Sequence, residues 1–333
     1  MQSSNGRIRG AVIGYGGAFG MGRQHGNHMK AAGMDFVAAC DTDAARMEAA
    51  SAENPGIRTY LDYRDLLKDE EVDLVTVILP HNLHAEVAIA CSEAGKHVIV
   101  EKPMCLSTAE ADAMIAAAKK AGKMLSVYQN RRWDGDFNTI KKLIMEGTIG
   151  DIVSLELSMG GFGKPGDWWR SDKAIAGGIL FDWGAHCIDW TLALVRSEVA
   201  GVFGHLYNGA WPSATIEDHG AAIIRFKNGA LAEITVSQVA SIHRPMWRIL
   251  GTKGGLTCHW GEPVTVKVDH NGHLAEFKVD RGQDKWDGYY GNIADHLYNG
   301  ADLVCKPEES RRIISIIEAA ERSAASGQVE MPV

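Results

Sequence analysis

Ile8-Arg9-Gly10-Ala11-Val12-Ile13-Gly14-Tyr15-Gly16-Gly17-Ala18-Phe19-Gly20-Met21-Gly22-Arg23 is the stretch that decides the fold. Ile8 to Gly14 is a short apolar run ending in glycine, which marks a buried strand. Arg23 to Ala32 reads as a helix stopped by Gly33. A strict G-x-G-x-x-G counted from Gly14 fails, because Phe19 holds the third glycine position. A three-residue insert, Gly17-Ala18-Phe19, restores the pattern as Gly14, Gly16 and Gly22. Glycine is needed here for a turn with positive φ and for close approach of the backbone to an anion resting on helix N-terminal amides.

Outward from this loop, Asp35 to Cys40 is a second strand, with Asp41 at its C-terminal end. Asp41 lies 19 residues after Gly22, where an acid would bond the ribose hydroxyls of a bound dinucleotide. A carboxylate there repels a 2′-phosphate, so NAD is favoured over NADP; Arg46, a nearby phosphate acceptor, softens that preference. Helical spacing over Thr42 to Ala52 precedes a buried strand over Asp73 to Leu79, broken by Pro80. Leu83 to Ala94 is a helix, His97 to Val100 a strand, Thr108 to Ala121 a helix, and Met124 to Tyr128 a further strand. Strands alternating with helices of this length give a parallel, doubly wound sheet, and so an α/β Rossmann domain over residues 1–126.

The pattern changes after that point. Strands are expected over Ile152 to Met159, Gly220 to Phe226, Ala230 to Val239, Trp247 to Gly251, Gly255 to His259, Val264 to Val268 and Leu274 to Val279. Many alternate apolar and polar residues, as in an antiparallel sheet with one covered face. Helices are expected over Ala185 to Val195 and Pro307 to Ser326. Residues 127–333 therefore read as an α+β domain with a large, mostly antiparallel open sheet. The chain of 333 residues is long enough for two cores.

Composition excludes several function classes. Acids outnumber bases 42 to 34, and no basic block offers a nucleic-acid surface. No apolar run has the roughly 18–20 residues a membrane span needs, and Met1 to Arg7 lacks the apolar core of a signal peptide. Cys40, Cys91, Cys105, Cys187, Cys258 and Cys305 show no CxxC spacing, which disfavours zinc and suits reduced thiols. A cytoplasmic protein binding neither nucleic acid nor membrane is the expectation.

Two clusters carry candidate chemistry. Glu101-Lys102-Pro103 follows a parallel strand, so Lys102 points toward the cofactor crevice, and Pro103 restricts the Lys102 backbone to extended conformations. Taken alone, Lys102 is equally well a loop lysine paired with Glu101. The second cluster is Gly177-Gly178-Ile179-Leu180-Phe181-Asp182-Trp183-Gly184-Ala185-His186-Cys187-Ile188-Asp189. On a helix, Asp182 and His186 share a face, with Asp189 near the same stripe. Oxidising a hydroxyl needs a base for its proton, and histidine suits neutral pH, while an ammonium steadies the developing alkoxide. A D-x-x-x-H pair is also compatible with a metal, or with a buried histidine satisfied by a carboxylate.

Taken together, these segments resemble the Gfo/Idh/MocA oxidoreductases, a family that includes glucose–fructose oxidoreductase and inositol dehydrogenases. The resemblance runs through Pro80-His81-Asn82-Leu83-His84, Glu101-Lys102-Pro103, Asn130-Arg131-Arg132-Trp133, Trp169-Arg170, the Gly177 to His186 segment and Gly251-Thr252-Lys253-Gly254-Gly255. It implies Lys102, Asp182 and His186 as the catalytic trio, with His186 as acid/base and no metal. It implies Pro80, Asn82, His84 and Glu101 at the nicotinamide end, and Arg132, Trp169 and Arg170 near the cofactor or the active-site rim. Phe19, in the insert, is a candidate lid over the pyrophosphate or nicotinamide. The implied substrate is a sugar, sugar derivative or cyclitol, and the implied assembly a homodimer or homotetramer through the C-terminal sheet. Net NAD-dependent oxidation is one reaction consistent with this. The other is a glycosidase or lyase that oxidises a ring hydroxyl transiently, eliminates, and recycles the cofactor.

Overall fold

The computed structural model describes residues 6–16 and 19–333. Its contacts divide the chain into two units that are not contiguous in sequence. The first takes the described residues up to Cys105, then Ala109–Asn130 and Trp286–Arg311; the second takes Leu106–Thr108, Arg131–Lys285 and Arg312–Val333. The sequence suggested one boundary near residue 126 and an uninterrupted second domain over 127–333, whereas Trp286–Arg311 belongs with the first unit.

In the first unit the strands are β1 (Arg9–Ile13), β2 (Asp35–Cys40), β3 (Arg58–Tyr60), β4 (Leu74–Val77), β5 (His97–Val100) and β6 (Leu125–Val127). They pair in parallel in the order β3-β2-β1-β4-β5-β6, the doubly wound order with its switch point between β1 and β4. The helices are α1 (Met21–Ala31), α2 (Ala44–Glu53), α3 (Tyr63–Leu67), α4 (His84–Glu93) and α5 (Thr108–Ala121). β3 and α3 are additions to the expected elements. Val12, Val75, Ile99 and Val127 are fully buried, as strands covered on both faces require.

The second unit contains α6 (Gly135–Met145), β7 (Ile152–Gly160), α7 (Lys173–Ala176), α8 (Trp183–Val195), β8 (Val199–Tyr207), β9 (His219–Phe226), β10 (Leu231–Ser237), β11 (Trp247–Gly251), β12 (Gly254–Cys258), β13 (Val264–His270) and β14 (His273–Val279). Helix α9 (Asp287–Asn299) falls in the first unit, and α10 (Pro307–Ser326) follows it. The eight strands run β14-β13-β12-β11-β7-β10-β9-β8, and every pairing is antiparallel except β7 with β10. One buried row crosses this sheet: Val202, Ile224, Ala232, Leu155, Ile249, Leu256 and Val266 stand side by side on the covered face. On the other face a neighbouring row runs Phe203, Ile223, Glu233, Glu156 and Arg248, all partly or fully exposed. Period-2 alternation thus builds a sheet with one open face.

Candidate functional site

Because the first sheet is parallel, the residues following β1, β2, β4 and β5 emerge at one edge. They are Gly14, Asp41, the Ile78 to Pro80 turn, and Glu101-Lys102. Gly14 has φ +95°, and a Cβ there would lie 1.9 Å from the Ile78 carbonyl oxygen. A Cβ on Gly22 would sit 2.5 Å from Tyr15 Cα, so Gly22 lets α1 close onto the β1 turn, the packing role of a third fingerprint glycine. Gly20, before α1, offers no side-chain cap, which leaves the first-turn amides to an external acceptor. Arg46 lies across Gly16, its Cδ 2.2 Å from where a Cβ would be. Gly17 and Ala18 lie outside the described residues; Phe19 is 63% exposed.

Asp41 is only 7% exposed. Its Oδ2 accepts the Tyr15 and Gly16 amides at 3.0 and 3.2 Å, its Oδ1 accepts the Asp43 amide at 3.1 Å, and Arg46 Nη1 lies 3.3 Å from Oδ2. The acid therefore braces the glycine turn. The cradle that added Cβ atoms would fill, the uncapped helix start and a carboxylate at the end of β2 together fit a dinucleotide.

At the other strand ends, Pro80 precedes a 3-10 turn over His81–Leu83, and Asn82 is exposed. His84 is fully buried; its ring nitrogens lie 2.8 Å from the carbonyl oxygens of Pro103 and Leu79, so it ties the turns after β4 and β5 together. The Lys102–Pro103 bond is cis. Glu101 Oε2 accepts the Lys102 amide at 3.0 Å, and Oε1 lies 3.1 Å from His25 Nε2. Burial pushes the Glu101 carboxyl up, but the hydrogen bond to His25 and the charges of His25 and Lys102 pull it down further and leave it below its ordinary value.

In the second unit, α8 begins at Trp183, so Asp182 is its N-cap and stands just outside the helix, where the sequence suggested a residue on the helix face. Arg170 Nη1 donates to Asp182 Oδ1 at 2.9 Å, and the Arg170 guanidinium lies 4.8 Å from the Trp169 ring centre and 5.4 Å from that of Trp168. His186, one turn into α8, is 3% exposed; its ring stacks on Trp190 at 6.2 Å and tilts against Trp183 at 5.6 Å. Arg132 grips Asp189, the buried acid three residues past His186.

Several contributing residues escaped sequence reasoning. Arg131 lies 4.5 Å from the Trp183 ring centre and 5.3 Å from that of Trp260, an exposed residue in the β12–β13 turn. Turn composition in Trp260-Gly261-Glu262-Pro263 signals only a loop. His25 carries no motif at all. Among the described residues, no three His, Cys, Asp or Glu side chains converge as a metal site, and no helix is long and apolar enough to cross a membrane.

Comparison with known proteins agrees across both units. Residues 8–129 match the oxidoreductase family with an NAD-binding Rossmann fold, and residues 137–257 match the GFO/IDH/MocA C-terminal domain. The chain is 31% identical over 309 residues to a scyllo-inositol 2-dehydrogenase (NADP(+)) of Bacillus subtilis, covering 84% of each chain. It is 29% identical over 276 residues to a myo-inositol 2-dehydrogenase of Thermotoga maritima, covering 80% of this chain and 81% of the relative. A solved NAD-binding protein from Listeria innocua superposes with a TM-score of 0.88 at 32% identity, over 97% of this chain and 96% of that one. With both domain matches in sequence order, and a parallel Rossmann sheet followed by a large, mostly antiparallel sheet, this chain belongs to the Gfo/Idh/MocA family of oxidoreductases.

Proposed function

We propose that this chain is an NAD(P)-dependent dehydrogenase that oxidises a ring hydroxyl of a cyclitol or sugar, with NAD the favoured cofactor. The observation that carries this reading is likeness along most of the chain to two inositol dehydrogenases, with Lys102, Asp182 and His186 all present. A bound nicotinamide supplies the hydride acceptor. His186 takes the hydroxyl proton on an imidazole nitrogen, and its aromatic surroundings limit competing water. The Lys102 ammonium stabilises the oxygen as negative charge develops. Asp182, held by Arg170, accepts a hydrogen bond from a neighbouring hydroxyl. Trp169 and Arg170 form the rim around Asp182, and Pro80, Asn82 and His84 shape the nicotinamide end. The open face of the second sheet, with Phe203 and Ile223 on it, supports assembly with a second copy of the chain.

The test is a panel of myo-inositol, scyllo-inositol and simple hexoses with NAD and NADP, following reduced cofactor by absorbance. Stoichiometric reduction with one of them, lost at least about 100-fold in both Lys102→Ala and His186→Ala, is expected. Near-wild-type turnover in both variants overturns the proposed roles. Product formed without net cofactor reduction replaces net oxidation with transient oxidation and elimination.

A further inference from the structure

Glu101 and Lys102 stand on a buried chain of polar groups within the first unit. Thr76 of β4 lies 2.9 Å, oxygen to oxygen, from the Tyr290 hydroxyl of α9, and that hydroxyl lies 2.8 Å from His25 Nδ1 of α1. His25 Nε2 lies 3.1 Å from Glu101 Oε1, and Glu101 Oε2 accepts the Lys102 amide at 3.0 Å. Thr76, Tyr290 and His25 are all 0% exposed, and the Tyr128 ring covers His25 at 4.3 Å.

The direction of this chain follows from what each group can donate. An ionised carboxylate only accepts, so Nε2 of His25 donates to Glu101. Nδ1 of His25 faces the Tyr290 hydroxyl, which in turn faces Thr76, so both ring nitrogens are held. Burial pushes the Tyr290 phenol well above its ordinary value, which keeps it a hydroxyl. The other titratable groups around His25 are His28 on α1, pushed down by burial and by His25, with Asp287 opposing, and Tyr289 on α9, whose hydroxyl donates to Ser126.

We propose that His25 is a positioning residue for Lys102. By donating to Glu101, it fixes the carboxylate whose second oxygen holds the Lys102 amide, and so sets how the lysine leaves the sheet edge. This rests on the reading of Lys102 as the alkoxide-stabilising lysine.

Two isosteric variants separate positioning from packing. The side-chain nitrogen of His25→Gln falls near Nε2, and that of His25→Asn near Nδ1, so only the glutamine keeps a donor for Glu101. Both lose the ring and comparable thermal stability. The first readout needs no substrate: limiting acetic anhydride labels Lys102 in competition with exposed Lys119 and Lys120, read by mass spectrometry. Without its donor, the Glu101 carboxylate is free to rotate, and the Lys102 amide that it holds loses its fixed direction. Labelling of Lys102 is expected to change about threefold in His25→Asn, as the lysine leaves the sheet edge in a different direction, and to stay near wild type in His25→Gln. With myo-inositol and NAD, kcat should fall about tenfold in the asparagine variant, with KM little changed. Equal labelling in the two variants makes the role structural and overturns the proposal. If neither variant folds, His25→Phe decides, because it keeps a buried ring and removes the donor to Glu101; unchanged Lys102 labelling there overturns the proposal as well. Retained turnover in Lys102→Ala would instead overturn the reading of the site and leave the labelling result standing.

Discussion

Arg132 closes on Asp189 through two parallel hydrogen bonds, Nε to Oδ2 at 2.8 Å and Nη2 to Oδ1 at 2.5 Å, with side chains 13% and 3% exposed. Asp189 lies one turn beyond His186, so the pair fixes the rotation of the helix that carries the proposed base. Removing one partner strands the other charge. Arg132→Ala should cost roughly 3–5 kcal/mol in urea unfolding, whereas Arg132→Met combined with Asp189→Leu should cost clearly less. Equal losses in the single and double variants would show that packing, not charge, governs this contact.

Gly22→Ala places a methyl group 2.5 Å from Tyr15 Cα and from the Tyr15 carbonyl oxygen, both of them backbone atoms that cannot swing aside. α1 must back away from the β1 turn. NADH affinity, measured by fluorescence titration, should fall by about tenfold or more, and stability by about 1–3 kcal/mol. An alanine at Gly33, where a Cβ would meet nothing within 4 Å, is the control: its φ of +78° strains the fold without touching the turn.

Asp41 braces the glycine turn and is the acid expected to bond the ribose hydroxyls of a dinucleotide. Asp41→Ser removes the charge that opposes a 2′-phosphate and leaves one acceptor where three amides were held. The ratio of NADPH to NADH affinity should rise by about tenfold while both affinities weaken. Arg46→Ala should lower NADPH affinity more than NADH affinity. A ratio unmoved by either variant would place cofactor discrimination elsewhere in the chain.

His97 makes stability depend on pH. Burial, reinforced by Lys123, pushes its imidazole down to about 4, and its Nδ1 accepts the Met124 amide at 3.0 Å. The unfolded chain binds this proton near pH 6.5 and the folded chain only near 4, so the stabilisation is complete above about 6.5 and lost as pH falls through that window. Unfolding at pH 7 and pH 5 should differ by about 2 kcal/mol on this account. His97→Asn, which keeps an acceptor and cannot titrate, should flatten the difference.

Strands buried on both faces or alternating cleanly were legible in the sequence: β2, β5 and β11 fall where their patterns end, as do α5 and α10. β3 was hidden because Arg58-Thr59-Tyr60 is too short to show a period. β8 was hidden by Gly201 and Gly204. A Cβ on Gly204 would lie 1.9 Å from the Ala320 carbonyl oxygen, so that glycine answers to α10, more than a hundred residues away. Nothing within a strand's own pattern reports such a contact. In the candidate site, motif residues showed because their chemistry is local. The helix expected from Ala185 begins two residues earlier, at Trp183, which makes Asp182 its N-cap. The His25–Tyr290 bond joins residues 265 positions apart and leaves no trace in either neighbourhood.

The return of Trp286–Arg311 to the first unit also bears on how the chain is made. A ribosome emits the nucleotide-binding strands first, and domains generally fold as they emerge, at about 5–20 residues per second. Here the phenol that closes over His25 and Thr76 belongs to Tyr290, so the nascent first unit must wait for most of the second to be synthesised. During that interval its polar interior lacks one member, and Thr76 and His25 have no hydroxyl between them. The unit that begins the polypeptide is therefore among the last to be completed.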